Sequence, residues 1–264
     1  YYRTKRREIG QEISETVNYK PTRIRKTLKK IINVAIPISI SSLISSFGKN
    51  IDSFTIVRFL KNYLTEQEAK IQYGILSGKI DSLCSLPFAF NVAFVTTLVP
   101  SISKSMAKGD LEEVAKKAEK YILISILIAF PIASTMFIYP NEILKILFPN
   151  APSGAMYLKI SSITIVFMLL AQTINGVLQG IGKVNIPAIS FGIGMIVKFL
   201  CNIILIPNKQ IGIYGAIIGN ILCNILACII SSCVLIKNIK LKINLKKLMI
   251  KPLLATICMN IISI

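Results

Sequence analysis

Six stretches of the sequence are long, mainly apolar and nearly free of charge: about 31–57, 82–103, 121–139, 160–181, 184–206 and 211–236. Each runs to about twenty residues, the length that crosses a hydrocarbon core of roughly 30 Å at about 1.5 Å per residue. The pattern predicts six membrane-spanning helices. Pro37 is expected to kink the first and Pro131 the third. A further apolar run opens at Pro252 and reaches only thirteen residues by Ile264. It is read as the start of a seventh span, so the sequence is expected to be an internal piece of a longer protein.

The polar segments between these runs carry their own signals. Residues 1–30 are basic, with ten Lys or Arg against three Glu. Thr65, followed three residues later by Glu68, has capping-box spacing and predicts a short surface helix near 66–72. Asp110 and Glu113 repeat that spacing, predicting an amphipathic helix over about 111–120 that leads into the third span. Residues 140–155 hold three prolines and are expected to loop, with one helical turn at Glu142–Phe148. A second basic stretch covers 237–251. The organisation expected is a polar linker (1–30), a six-span lobe (31–236), a basic segment (237–251) and a truncated span (252–264).

Composition sharpens this reading. Of 264 residues, 53% are hydrophobic and 16% charged. That balance, gathered in runs, excludes a disordered chain, a disulfide-stapled secreted module and an ordinary soluble enzyme. The net charge of +19 would suggest a nucleic-acid partner in a soluble protein, but beside membrane spans basic residues mark the cytoplasmic side. With the N-terminus inside, 22 Lys or Arg fall in cytoplasmic segments and seven outside. No nucleic-acid partner is expected, and the location expected is the cell membrane with a cytoplasmic N-terminal segment. The six cysteines all lie in apolar runs without a CxxC pair, and read as small apolar fillers. There is no His, and no nucleophile elbow, zinc-protease motif or P-loop is present. Neither a catalytic residue, nor a metal site, nor a cofactor is assigned.

Charges inside spans are costly, about 2.5–3.5 kcal/mol at the bilayer centre on insertion scales, and persist only beside a partner, a cavity or water. Lys49 and Asp52 are three apart on the first span and share a face. They form a local ion pair, or Lys49 snorkels toward the outer surface, or both line a cavity. Lys198 stands about fourteen residues into the fifth span with no acid within a helical turn, on one face with Asn202. It either snorkels or presents a fixed positive charge to a central cavity suited to an anionic substrate. Gln172, Asn175 and Gln179 mark one stripe of the fourth span, Asn220 and Asn224 are four apart on the sixth, and Asn91 is mid-span in the second. These amides either hydrogen-bond between helices or line the cavity. Gly215 and Gly219 form a GxxxG pair that lets two helices approach closely.

Several stretches, in order, resemble one family. Gln72-Tyr73-Gly74-Ile75-Leu76-Ser77-Gly78 is similar to the YGxxSG element of the stage V sporulation protein B and polysaccharide-exporter family. Leu86-Pro87, Val99-Pro100-Ser101-Ile102-Ser103 and Lys108-Gly109-Asp110 follow its span-and-loop pattern. Leu178-Gln179-Gly180-Ile181-Gly182-Lys183-Val184 with Pro187, then Val197-Lys198, then Ile211-Gly212-Ile213-Tyr214-Gly215-Ala216, resemble its loop between spans ten and eleven, its eleventh span and the opening of its twelfth. Lys79 departs from the small or apolar residues commoner after the SG element. The resemblance implies an all-α, multi-pass helical bundle of the multidrug, oligosaccharidyl-lipid and polysaccharide exporter (MATE-like) superfamily, which includes lipid II flippases. This chain would be its second six-helix lobe plus the start of a further span. The implied activity is export of an anionic lipid-linked saccharide for peptidoglycan, spore cortex or polysaccharide. The implied partners are that substrate, membrane lipid and the missing N-terminal lobe. Lys198 becomes the leading cavity cation, with Lys49, Asp52, Asn202, Gln172, Asn175 and Asn91 as further candidates. A cation-coupled drug antiporter and a non-transporting membrane scaffold are the alternatives.

Overall fold

The computed structural model describes residues 24–239 and Thr256, and within the first helix it leaves aside several side chains, Lys49 among them. Most of the N-terminal linker, the basic stretch 240–251 and all of the seventh apolar run except Thr256 lie outside the described residues. Every regular element described is helical: α1 (Ile24–Leu60), α2 (Glu66–Gly74), a π-helical turn (Ile75–Ile80), α3 (Asp81–Ala107), α4 (Leu111–Ile138), α5 (Pro140–Leu147), α6 (Ala155–Gly180), α7 (Asn185–Leu205) and α8 (Tyr214–Ile239). The chain divides into two compact units at Pro37. Of the first, the described part is the opening of α1, which exposes Ile24, Leu28 and Ile31.

Among the described residues of the second unit, five helices are long and apolar enough to cross a membrane: the continuous stretch Glu66–Ala107, then α4, α6, α7 and α8. The first expected span falls inside α1. Both capping signals are realised. The Thr65 hydroxyl accepts from the Glu68 N–H while the Glu68 carboxylate accepts from the Thr65 N–H at 2.9 Å. The Asp110 carboxylate accepts from the Glu113 N–H at 2.8 Å. Glu113 does not complete a capping box; it pairs with Lys117 at 2.8 Å.

Where the sequence suggests breaks, the helices run on. α2 passes into α3 through the π turn with no loop between them. A π ring places each N–H on the fifth residue back instead of the fourth, and hydroxyls meet carbonyls around it. Ser77 donates to the Tyr73 carbonyl at 2.9 Å and Ser82 to that of Gly78 at 2.7 Å. The surface helix expected over 111–120 and the third span are one helix, because nothing between Leu111 and Tyr121 interrupts the ladder. Two i,i+4 pairs, Glu112–Lys116 and Glu113–Lys117, support its exposed opening. The loop after α4 holds two helical turns, with Pro140 at the start, where its missing N–H costs nothing. Lys79, the residue that departs from the family pattern, clips the following loop by donating to the Ala151 carbonyl at 2.5 Å.

α6 is the central helix. Its membrane window is 61% buried, against 22–33% for the other four. Small residues let its neighbours close on it: a Cβ on Gly176 would meet Val95 at 2.6 Å, and one on Gly180 would meet Ile102 at 2.7 Å. This second GxxxG pair, Gly176 and Gly180, sets the approach of α3 to α6. The expected pair works as read, between α7 and α8. Gly215 lies against Leu205, Gly219 against Cys201, and Gly194 returns the contact against Cys223. Two apolar clusters fill the unit. One is built around Leu60, Ile80, Leu144, Leu158 and Ile206, the other around Leu98, Ile102, Val114, Val177 and Leu235.

Candidate functional site

Lys198 and Asn202 are four apart on α7, so their side chains stand one above the other. Both are buried, at 6% and 0% exposure. Asp52 and Thr55, three apart on α1, meet them. The Lys198 ammonium donates to Asp52 Oδ2 at 2.5 Å. The Asn202 amide donates to Asp52 Oδ1 at 3.2 Å and to Thr55 Oγ1 at 3.1 Å. Thr55 in turn donates to the Ile51 carbonyl at 2.6 Å. Each carboxylate oxygen thus has a donor from α7. One acceptor is left over among the described residues: Asn202 Oδ1 is buried without a hydrogen-bond partner there and faces Gly219, where a Cβ would stand 3.3 Å away.

The arrangement is a desolvated ion pair with hydrogen-bonded flanks. Such a pair holds together because either charge alone would be uncompensated in a low-dielectric interior. Chemically it can exchange partners: an anion can replace the carboxylate at Lys198, and a proton or cation can replace the ammonium at Asp52.

The remaining amides fall into two other networks. Asn91 on α3 is fully buried. Its amide donates to the Leu169 carbonyl (3.1 Å), Gln172 Oε1 (3.0 Å) and Thr173 Oγ1 (3.1 Å) of α6, and its carbonyl accepts from Ser125 of α4 at 3.0 Å. Ser125 and Thr173 are 2.6 Å apart, closing the network across three helices. Asn175, also on α6, accepts from Ser231 of α8 at 2.7 Å, and Ser231 lies 3.1 Å from Ser190 of α7. The Asn175 amide nitrogen has no partner among the described residues.

The candidates are therefore not one lining. Lys198, Asn202 and Asp52 come together; Asn91 and Gln172 form a separate lock; Asn175 belongs to a third cluster. Gln172 and Asn175 are three apart, about 60° around the helix, enough to send one to α3 and the other to α8. Asn224 donates to the Asn220 carbonyl of its own helix at 2.9 Å and ties no second helix among the described residues. The side chain of Lys49 lies outside the described residues, and the carboxylate set beside it in the sequence is taken by Lys198. The residues that sequence reasoning missed are hydroxyls: Thr55, Ser125, Thr173, Ser190 and Ser231. Their signal was present, since a Ser or Thr one turn from an intramembrane amide or acid is a natural partner.

The MatE family model matches residues 77–204, from the π turn through α3 to α6 and nearly all of α7, taking in Lys198 and Asn202. The uncharacterized membrane protein YabM of Bacillus subtilis (strain 168) is 28% identical over 216 residues, 82% of this chain and 39% of that protein. Stage V sporulation protein B of the same organism is 20% identical over 235 residues, 89% of this chain and 45% of that protein. The uncharacterized membrane protein MJ1068 of Methanocaldococcus jannaschii is 35% identical over 135 residues, 51% of this chain and 26% of that protein. The chain thus spans less than half the length of each of these relatives. No solved structure matches. The family-model match and the two Bacillus subtilis relatives bear out the resemblance carried by the motifs, and relate this multi-pass membrane protein to the MATE-like, polysaccharide-exporter superfamily.

Proposed function

We infer that this chain is one six-span lobe of a transporter that moves an anionic lipid-linked saccharide across the cell membrane, with its N-terminal segment in the cytoplasm. The observation that carries this reading is the buried Lys198–Asp52 pair. A lysine desolvated inside a bundle is a strong site for an anion, and its carboxylate partner keeps it neutralised while no substrate is present. A pyrophosphate entering the site would take Lys198 from Asp52. The likeness to stage V sporulation protein B supports a place in sporulation; the cargo class we infer is a peptidoglycan or spore-cortex precursor.

One observation favours a second reading. Asp52 carries a carboxylate inside a membrane unit, next to the unpartnered Asn202 oxygen, which is the setting for coupling transport to a cation or proton.

The test uses the full-length protein in proteoliposomes carrying a fluorescent polyprenyl-pyrophosphate saccharide. In the saccharide reading, Lys198→Gln lowers flipping at least tenfold, while Asp52→Asn frees the lysine and retains binding of the substrate. In the coupled-antiporter reading, Asp52→Asn abolishes cation-driven efflux of a drug and Lys198→Gln does not. Unchanged flipping by a well-folded Lys198→Gln protein overturns the role of Lys198.

A further inference from the structure

α4, α6 and α8 form a half-open apolar groove of about 580 Å³, lined from Ile122 to Ile138 along α4 and reaching Ile163 on α6 and Leu235 on α8. Sixteen helical steps at about 1.5 Å extend it over roughly 24 Å, most of a hydrocarbon core. An extended chain advances about 1.2 Å per single bond, as extended backbone does, so an acyl chain of about eighteen carbons reaches roughly 20 Å, most of the groove. Length and apolar lining suit one extended hydrocarbon chain.

The lining offers nothing polar to a ligand. The Ser134 hydroxyl donates to the Pro131 carbonyl at 2.9 Å and that of Ser162 to the Lys159 carbonyl at 2.7 Å. Ser232 follows Cys228 by one turn on α8, and the lining as a whole is apolar. A charge stands at one mouth. The Lys159 ammonium lies 5.0 Å from the centre of the Phe137 ring, which lines the cavity, and makes no ion pair among the described residues.

We propose that this groove is a structural lipid site, holding one acyl chain of an anionic phospholipid whose phosphate sits beside Lys159. The site is independent of the transport reading and needs only that these helices cross a membrane. It is separate from the Lys198 cluster, none of whose residues line it.

The full-length protein, purified in mild detergent, is loaded with 1-palmitoyl-2-oleoyl phosphatidylglycerol or the matching phosphatidylcholine, and bound lipid is counted by native mass spectrometry. One retained phosphatidylglycerol is expected. Ser232→Phe, which fills the groove, should lower occupancy at least tenfold, and Ser134→Phe should do the same from another wall. Ile189→Trp, on the exposed face of α7, should leave occupancy unchanged. Lys159→Gln should abolish the preference for phosphatidylglycerol over phosphatidylcholine. Occupancy insensitive to both groove-filling variants, or lost equally in Ile189→Trp, overturns the site, as does absence of any retained lipid. Should neither filling variant fold, a phosphatidylglycerol with a photoreactive acyl chain is cross-linked to the unaltered protein. Adducts concentrated on α4, α6 and α8 lining residues support the proposal, and adducts equally frequent along α7 overturn it.

Discussion

Lys198 and Asp52 are 146 positions apart in the chain and 2.5 Å apart in space, joining α7 to α1 through a largely buried salt bridge. Removing one partner strands the other. Lys198→Met or Asp52→Leu alone should each cost about 3–5 kcal/mol, while the two together should recover most of that stability. Thermal midpoints of the detergent-solubilised protein read this directly. Single variants as stable as the parent would mean that water reaches the pair.

The α7–α8 contact should be the least tolerant of added volume. A Cβ on Gly194 would stand 2.8 Å from the Cys223 carbonyl oxygen, and one on Gly215 would stand 2.7 Å from Leu205 Cβ and 3.0 Å from the Ile206 nitrogen. Backbone cannot step aside as a side-chain tip can, so Gly194→Ala and Gly215→Ala should each destabilise by about 1–3 kcal/mol. Gly74→Ala meets nothing within 4 Å. It should be neutral or stabilise by up to about 1 kcal/mol. The same thermal assay ranks all three, and an equal cost at Gly74 would contradict the packing argument.

Two buried-amide deletions should differ although both remove an asparagine from a span. Asn91→Ala deprives the Leu169 carbonyl, Gln172, Thr173 and Ser125 of a shared partner, and should cost about 1–3 kcal/mol. Asn224→Ala removes a bond within its own helix and should cost near the membrane average of about 0.6 kcal/mol or less. Denaturation in a mild-to-harsh detergent series measures both. Equal losses would show that the three-helix lock is not a unit.

Topology is open to labelling. Gln67 and Glu112 are exposed and lie on either side of α3. In a cysteine-free background, an impermeant maleimide added outside cells should label Gln67→Cys and leave Glu112→Cys untouched. Gln67 serves better than Glu68, whose carboxylate closes the capping box. Labelling of both, or of Glu112→Cys alone, would refute the 22-to-7 charge argument.

Much of the fold was legible because hydrocarbon is a demanding solvent. Runs of about twenty apolar residues located α3, α4, α6, α7 and α8, and both capping signals placed helix starts to the residue. The misreadings share a cause. Polarity suggests a break between surface helix and span, yet a helix satisfies its own backbone and continues through a change of medium, as at Gly74–Asp81 and Lys120–Tyr121. The site was legible in its members and not in its pairing. Lys198 with Asn202, and Asp52, stood out singly by their cost in lipid. Which acid faces which base depends on how α1 meets α7, and local spacing offered Asp52 a nearer partner in Lys49. The single stripe on α6 failed for a similar reason: periodicity tells which way a side chain points and not which neighbour stands there.

The π turn at Ile75–Ile80 carries one last implication, for how this protein can vary. Each of its rings holds one residue more than an α ring, so it acts as a slack link in an otherwise taut ladder. A single-residue deletion there can be absorbed by tightening to ordinary α geometry, leaving the flanking turns in phase. The same deletion inside α6 would rotate every later side chain by about 100° and tear both of its polar locks apart.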